Sequence, residues 1–418
     1  MSEIMKVINE LRGQCSCGKY HETSVKDIRI GKGLVKEVGD ILNANSFPGL
    51  LLVVGDENTL CEALFCSLDN AGFDYEVLKY ENLRLATMNE VDQIAKIITG
   101  RDIGVLSVGT GSINDPCRLA AARENKMLCI FGTAPSMDGF ASYSSPIVKD
   151  GFKSSYPAKS PEVIIADTEI LASAPTELKS AGFGDMVSKY TALIDWQIAA
   201  LLTDEPYCER VAALTRNAVD ELMSMADKVT ENDEETAGKI FESLLKTGIG
   251  MSFMQNARPA SGAEHIIGHL IECVELRDGK IPNYHGEDIG VCTLHTLKIY
   301  NDLAELESIQ TKKENVDWDD VLGFYGNMAD DVRTLNFPDN IIDKVDPYEL
   351  KSKWQKIRAI IKDVPTYDEI RDAMRKAGCK LEISDIGKDE KLFFDCVKYS
   401  PYMRARLTLL RMLGMIEK

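Results

Sequence analysis

The sequence predicts an α/β half over residues 1–174, built on a Rossmann-like parallel sheet, followed by an all-helical half over residues 175–418. Three observations predict it. The apolar runs Leu50–Val54, Ile103–Val108 and Leu128–Phe131 are each followed by a glycine, and short runs of that kind mark strands buried on both faces. Helical periodicity takes over from Thr176 and holds to the end. Between them, Ser173-Ala-Pro175-Thr176 interrupts both patterns, as a domain boundary does.

Composition narrows the class. The chain has 418 residues, enough for two domains with a large core. A formal net charge of −18 argues against nucleic acid or an anionic membrane as a partner. The 11 cysteines are scattered, odd in number and without a C-x-x-C pair; they read as reduced thiols in a cytoplasmic protein. The acidic first ten residues do not make a signal peptide. No stretch approaches the ~20 apolar residues of a membrane span, so no membrane insertion is expected.

Taken in order, residues 1–12 form a short amphipathic helix. Cys15-Ser-Cys17-Gly18-Lys-Tyr-His21 hints at metal, but it lacks a fourth ligand and the spacing of a zinc finger; the plainer reading is a turn into a strand at Val25–Ile30. A helix at Leu34–Leu42, the strand Leu50–Asp56, a helix at Leu60–Ala71, a strand at Tyr75–Leu78 and a helix near Asn89–Thr99 follow. The strand Ile103–Val108 runs into Gly109-Thr-Gly111-Ser112, and a helix is expected over Pro116–Glu124. A strand, a glycine turn and a helix start together form a phosphate cradle of free N–H groups. Gly109, Gly111 and Ser112 are therefore candidates to bind a cofactor phosphate, although the third glycine of the standard dinucleotide fingerprint is absent.

The strand Leu128–Phe131 opens onto a second polar loop carrying Thr133, Ser136, Asp138 and Ser142. That loop lies at the carboxyl end of a strand, where ligands of open α/β sheets bind. Ser145–Gly151 and Phe152–Pro157 can pair as a hairpin, and Glu162–Asp167 is the last strand.

The helical half reads as Met186–Leu202, Glu205–Met225, Glu234–Met251, Ala263–Val274, Gly290–Leu303, Trp318–Phe324, Pro347–Ile361, Tyr367–Ala377 and Leu392–Leu413. Just before it, Gly182 and Gly184 allow a tight turn, with Asp185 at a helix start. There the carboxylate is either a cap or a ligand. His265, His269 and His285 follow in two later segments. One Asp and two His suit a divalent metal that keeps an open coordination position.

The ordered motifs Gly109-Thr-Gly-Ser, Thr133-Ala-Pro-Ser-Met-Asp-Gly, Ala181-Gly-Phe-Gly-Asp, Arg258-Pro-Ala-Ser-Gly-Ala-Glu-His and His285-Gly resemble those of the sn-glycerol-1-phosphate dehydrogenases, in particular their bacterial group. That family sits in the dehydroquinate synthase-like and iron-containing alcohol dehydrogenase superfamily. The resemblance covers nearly the whole chain, including the Cys-x-Cys-Gly-x-x-His opening and Tyr402-Met-Arg404-Ala-Arg406. Ala405 and Leu407 depart from the acid and the aromatic that bacterial relatives carry there.

The resemblance implies reduction of dihydroxyacetone phosphate to sn-glycerol 1-phosphate by NADH or NADPH, with one metal ion, Zn2+ or Ni2+, held by Asp185, His265 and His285. His269 is a rival ligand or a supporting group. The resemblance further implies that Gly109, Gly111 and Ser112 cradle the pyrophosphate, and that Thr133, Ser136 and Ser142 line the cofactor cleft. Asp56 would meet the adenosine ribose, which leans the preference to NADH. Asp138 would lie at the substrate hydroxyls. Arg258 is the first candidate for the substrate phosphate and Lys159 the second. A homodimer or larger homo-oligomer is expected. Glycerol dehydrogenase, dehydroquinate synthase and a catalytically silent relative are the competing readings.

Overall fold

The computed structural model describes residues 2–417. The chain opens with helix α1 (Glu3–Leu11) and a small antiparallel hairpin, β1 (Gly13–Gln14) and β2 (Tyr20–His21). Its centre is a six-stranded parallel sheet of β3 (Asp27–Gly31), β4 (Leu50–Asp56), β5 (Asp74–Tyr80), β6 (Gly104–Gly109), β7 (Leu128–Gly132) and β10 (Val163–Asp167). The order is β3-β10-β7-β6-β4-β5. Strands β6, β7 and β10 are buried along their whole length, which is why they read as apolar runs without alternation. The antiparallel hairpin β8 (Ser144–Lys149) and β9 (Phe152–Pro157) stands outside this sheet.

The direction in which successive strands are added across the sheet reverses between β4 and β6. From β4 the chain moves outward to β5, and from β6 it moves the other way to β7. Crevices at such reversals, beyond the carboxyl ends of the strands, receive ligands in α/β folds. Asp56 ends β4 and Gly109 ends β6, so both flank this crevice.

Four helices connect the strands: α2 (Val38–Ala44), α3 (Glu62–Asn70), α4 (Met88–Ile98) and α5 (Gly111–Arg123). The helix expected from Pro116 begins five residues earlier, and Pro116 lies within it. Gly111 and Ser112 therefore occupy its first turn. Past β10 come α6 (Thr168–Ser173), α7 (Thr176–Val187), α8 (Lys189–Leu202), α9 (Glu209–Met223), α10 (Glu234–Met254), α11 (Ala263–Arg277) and α12 (His285–Ala304). The C-terminal region adds shorter helices, α13 (Trp318–Tyr325), α14 (Ala329–Asn336), α15 (Pro347–Ser352), α16 (Trp354–Ile361), α17 (Tyr367–Lys376), α18 (Glu390–Tyr399) and α19 (Leu409–Met412).

Two boundaries differ from expectation in ways that matter for function. Asp185 is not at a helix start; it lies near the end of α7, which runs through Gly182 and Gly184. Those glycines serve close packing instead of a turn. A Cβ at Gly182 would stand 1.8 Å from the Pro135 carbonyl oxygen, and one at Gly184 2.5 Å from that of Gly286. Helix α12 starts at His285, five residues before the predicted Gly290. The long helix expected over Leu392–Leu413 breaks at Ser400-Pro401, where proline removes a donor and clashes with the preceding turn.

One apolar cluster runs through both halves. It joins Ile4 and Ile8 of α1, Leu52, Val105 and Ile130 of the sheet, and Phe241, Leu245 and Ile249 of α10. A second cluster lies in the helical half, around Ile267, Ile271, Trp354 and Phe393, with Phe152 of β9 packed against it. No helix among the described residues is long and apolar enough to cross a membrane.

Candidate active site

Asp185, His265 and His285 come from three helices, α7, α11 and α12, yet their ligand atoms lie within 4.8 Å of one another. Glycine is what allows this. Helices α7 and α12 meet at Gly184 and Gly286, and a Cβ on Gly286 would stand 1.8 Å from the Ala181 carbonyl oxygen. With no side chains between them, the end of α7 and the start of α12 approach closely enough to share an ion.

Each of these three side chains is held by a partner. His265 Nδ1 lies 2.8 Å from Glu264 Oε1, leaving Nε2 on the Asp185 side, 3.4 Å from Oδ1. His285 Nδ1 lies 2.9 Å from Glu272 Oε1. A carboxylate on one ring nitrogen fixes the tautomer and leaves the other as a lone-pair donor, the arrangement of metal-bound histidines. The donor set, one carboxylate and two imidazoles, fits a divalent transition metal. His269, Glu272 and His285 form a second set within 4.8 Å. In that set the Glu272 carboxylate is already spent, on His285 and on Lys153 Nζ at 2.8 Å, so the first set is the better cradle.

Lys189, one turn after Asp185, is fully buried and pairs with Asp185 Oδ1 and Asp138 Oδ2, each at 2.7 Å. The Asp138 backbone N–H also donates to Asp185 Oδ2 at 2.9 Å. Burial alone would push the Asp185 carboxyl up; Lys189 and His265 outweigh it and hold the group well below the usual carboxylate range. Burial lowers His265, yet Asp185 and Glu264 raise it above its ordinary value. Burial drives His269 well below the ordinary histidine value against the opposing pull of Glu272, with His285, Lys153 and Arg404 adding to the effect of burial.

The residues predicted to bind nucleotide lie around the crevice between β4 and β6. Gly109 has φ 158° and a Cβ there would stand 2.6 Å from Ile113, so the turn into α5 needs glycine. Ser112 Oγ donates to the Leu83 carbonyl at 2.6 Å, which anchors the turn. The Thr133 N–H donates to the Gly109 carbonyl, tying the second polar loop to the first. Ser136 is buried, and Ser142 Oγ accepts from the Ser144 N–H at 3.2 Å. Asp56 Oδ1 accepts from the Asn58 N–H at 2.9 Å.

The two predicted phosphate ligands are otherwise engaged. Arg258 is buried; Nε and Nη2 donate to the Glu205 carboxylate and Nη1 to the Leu407 carbonyl. A guanidinium satisfied on three nitrogens by its own chain has little left for a substrate. Lys159 Nζ pairs with Glu162, whose other oxygen accepts from the Leu128 N–H at 2.9 Å. Both residues fasten the structure.

Three contributors escaped the sequence reading as site residues. Lys189 carried a signal, its i, i+4 spacing from Asp185. Glu272 and Lys153 carried none, because their pairing spans 119 residues.

A family model for iron-containing alcohol dehydrogenases matches residues 29–175. A glycerol-1-phosphate dehydrogenase [NAD(P)+] of Methanosarcina acetivorans is 33% identical over 66% of this chain and 76% of its own. The chain belongs to the glycerol-1-phosphate dehydrogenase family. The enzyme of the same name from Halalkalibacterium halodurans is 27% identical over 98% of both chains. Among solved structures, a probable glycerol dehydrogenase from Sinorhizobium meliloti shares the fold at TM-score 0.61, with 16% identity over 92% of this chain and 91% of its own.

Proposed function

We propose that the protein reduces dihydroxyacetone phosphate to sn-glycerol 1-phosphate with NADH or NADPH. The observation that carries this reading is the Asp185, His265 and His285 cradle, set in a chain of this family. Those three side chains would hold one divalent ion, zinc or nickel, which supplies a Lewis acid for the ketone. The nicotinamide supplies the hydride. The first turn of α5, with its free N–H groups and Gly109 turn, receives the pyrophosphate. Asp56 at the crevice disfavours a 2′-phosphate by charge repulsion and favours NADH. Lys189 holds the Asp138 and Asp185 carboxylates in place, and Glu264 and Glu272 keep the imidazoles turned inward. The protein works in the cytoplasm as a homodimer or larger homo-oligomer, a state that light scattering measures directly.

Arg404 and Arg406 take the phosphate role expected of Arg258. Neither forms an ion pair among the described residues. Arg406 donates to Ser261 Oγ and its carbonyl, just before the helix that carries His265. Arg404 donates to the carbonyl of Lys153, whose ammonium holds Glu272. Burial lowers both guanidinium pKa values, Arg406 to about 10. A desolvated guanidinium without a counterion favours an anionic ligand.

The test is NADH oxidation by zinc- or nickel-loaded protein, with dihydroxyacetone phosphate against dihydroxyacetone. Strong preference for the ester is expected, and Arg404→Ala with Arg406→Ala should raise KM for the ester alone. Preference for the free ketone would overturn the reading in favour of a glycerol dehydrogenase.

A further inference from the structure

The N-terminal Cys-x-Cys…His motif gains a fourth metal-ligating side chain at its side from a residue far along the chain. Cys208 caps the N-terminus of α9 and sits against the β1–β2 hairpin, whose turn carries Cys15 and Cys17 and whose second strand ends in His21. The ligand atoms of Cys15, Cys17, His21 and Cys208 all lie within 4.8 Å of one another. Cys15 Sγ is 3.7 Å from Cys208 Sγ, and Cys17 Sγ is 3.4 Å from His21 Nε2.

The last two separations match edges of a zinc tetrahedron. With Zn–S of about 2.3 Å and Zn–N of about 2.0 Å, tetrahedral angles put sulfur about 3.8 Å from sulfur and about 3.5 Å from nitrogen. A disulfide would need the two sulfurs at about 2.05 Å. The hairpin turn holds its two cysteines in a fixed loop. The Gly18 N–H donates to the Cys15 carbonyl and the Cys15 N–H to that of Lys19, both at 3.0 Å, with Gly18 at φ 85°. His21 is fully buried, stacks on Phe253 at 5.2 Å, and places Nδ1 3.1 Å from the Leu11 carbonyl. Donation from Nδ1 leaves the Nε2 lone pair facing the sulfurs, the outer support that metal-bound histidines have.

The surroundings also suit the charge. Three thiolates and one zinc ion carry a net charge of −1, and the N-terminal end of α9 favours negative charge. Lys19 and Arg210 flank the cluster and reach the Met254 and Glu10 carbonyls.

We propose that Cys15, Cys17, His21 and Cys208 bind a structural zinc ion that fastens the N-terminal hairpin to α9. Three soft sulfurs and one imidazole select zinc among the common divalent ions. Four protein ligands leave no open position, so the site is structural and separate from the Asp185, His265 and His285 cradle. Its bond energy joins the first residues of the chain to the helical half, because a site of this kind forms only in the folded state.

The deciding experiment measures metal content and spectra of the full chain. His265→Ala empties the other cradle, and this variant should retain one zinc per chain through gel filtration with a weak chelator. Adding Cys208→Ser or Cys17→Ser to it should remove that zinc and lower Tm. Because such variants can misfold, cobalt substitution of the otherwise native chain gives a second readout. Sulfur-to-cobalt charge-transfer bands and the intense visible bands of tetrahedral cobalt are expected. The proposal is overturned if the His265→Ala chain holds no zinc, if cobalt shows no thiolate bands, or if mass spectrometry finds Cys15 and Cys208 joined as a disulfide in freshly purified protein.

Discussion

Replacing Gly286 with alanine tests whether glycine contact brings Asp185, His265 and His285 together as the proposed metal cradle. The added methyl would meet the Ala181 carbonyl oxygen at 1.8 Å, its carbon at 2.5 Å and its Cα at 3.0 Å. All three are backbone atoms of α7, so no side chain can swing away. Restoring van der Waals separation requires α7 and α12 to part by roughly 1.5 Å. His285 is the neighbouring residue on α12, and Asp185 is one turn along α7. Disturbing the groups that orient metal ligands costs about 10–100-fold in affinity, so metal binding should weaken by about that range, or about 1.4–2.7 kcal/mol. Overpacking should also reduce stability by about 1–3 kcal/mol. The assay is competition between the protein and a chromophoric chelator for zinc or nickel, read beside thermal denaturation. Gly323→Ala is the control: nothing lies within 4 Å of the new methyl, and in the helix it should be neutral or stabilising by up to about 1 kcal/mol. Metal binding by Gly286→Ala as tight as that of the parent chain would refute the reasoning.

Glu272→Gln should weaken metal binding by about 10–100-fold through loss of the charged partner of His285, and the chelator competition measures it; unchanged affinity would free His285 of that support. Arg258→Ala should destabilise the fold by about 2–3 kcal/mol, because Glu205 and the Leu407 carbonyl lose their donor and Glu205 remains partly hydrated. Denaturant unfolding reads this, and the ratio of KM values for phosphorylated and free ketone should not move. Asp288, buried beside Lys388, Glu272 and Glu275, has its carboxyl raised to about 7, chiefly by burial. Between about pH 4 and 7 the unfolded chain releases this proton while the folded chain keeps it, so stability falls as pH rises through that window. Asp288→Asn should flatten this slope in thermal scans at graded pH, and an unaltered slope would remove Asp288 as its source.

The alternation of strands and helices was readable because buried parallel strands leave apolar runs ended by glycine, as at Val54-Gly55 and Val108-Gly109. The order of Asp185, His265 and His285 was readable as well. The setting of Asp185 was not. Glycine-rich Ala181-Gly-Phe-Gly184 looks like a turn by local propensity, but tertiary packing overrides propensity. In α7 the glycines are helical and serve the approach of Pro135 and α12. Arg258 looked like an anion ligand because sequence does not show that Glu205 lies opposite it. The partners Glu272 and Lys153, and Cys208 beside Cys15, depend on contacts between distant segments, and no spacing rule reports those.

Helix α10 lies on the sheet, with Phe241 against Phe140 at 4.6 Å between ring centres and in van der Waals reach of the Gly132 backbone. The apolar face of the sheet is thus completed by a helix that begins about 67 residues after Asp167, where the sheet's last strand ends, since α10 starts at Glu234. Neither half is a transferable cassette. A recombination event that exchanged residues 1–174 for those of a distant relative would have to supply matching side chains across this seam, Phe241, Leu245 and Ile249 among them. A core substitution on one side of this seam therefore needs a matching change on the other, whereas the loops at the crevice can vary without a core being rebuilt.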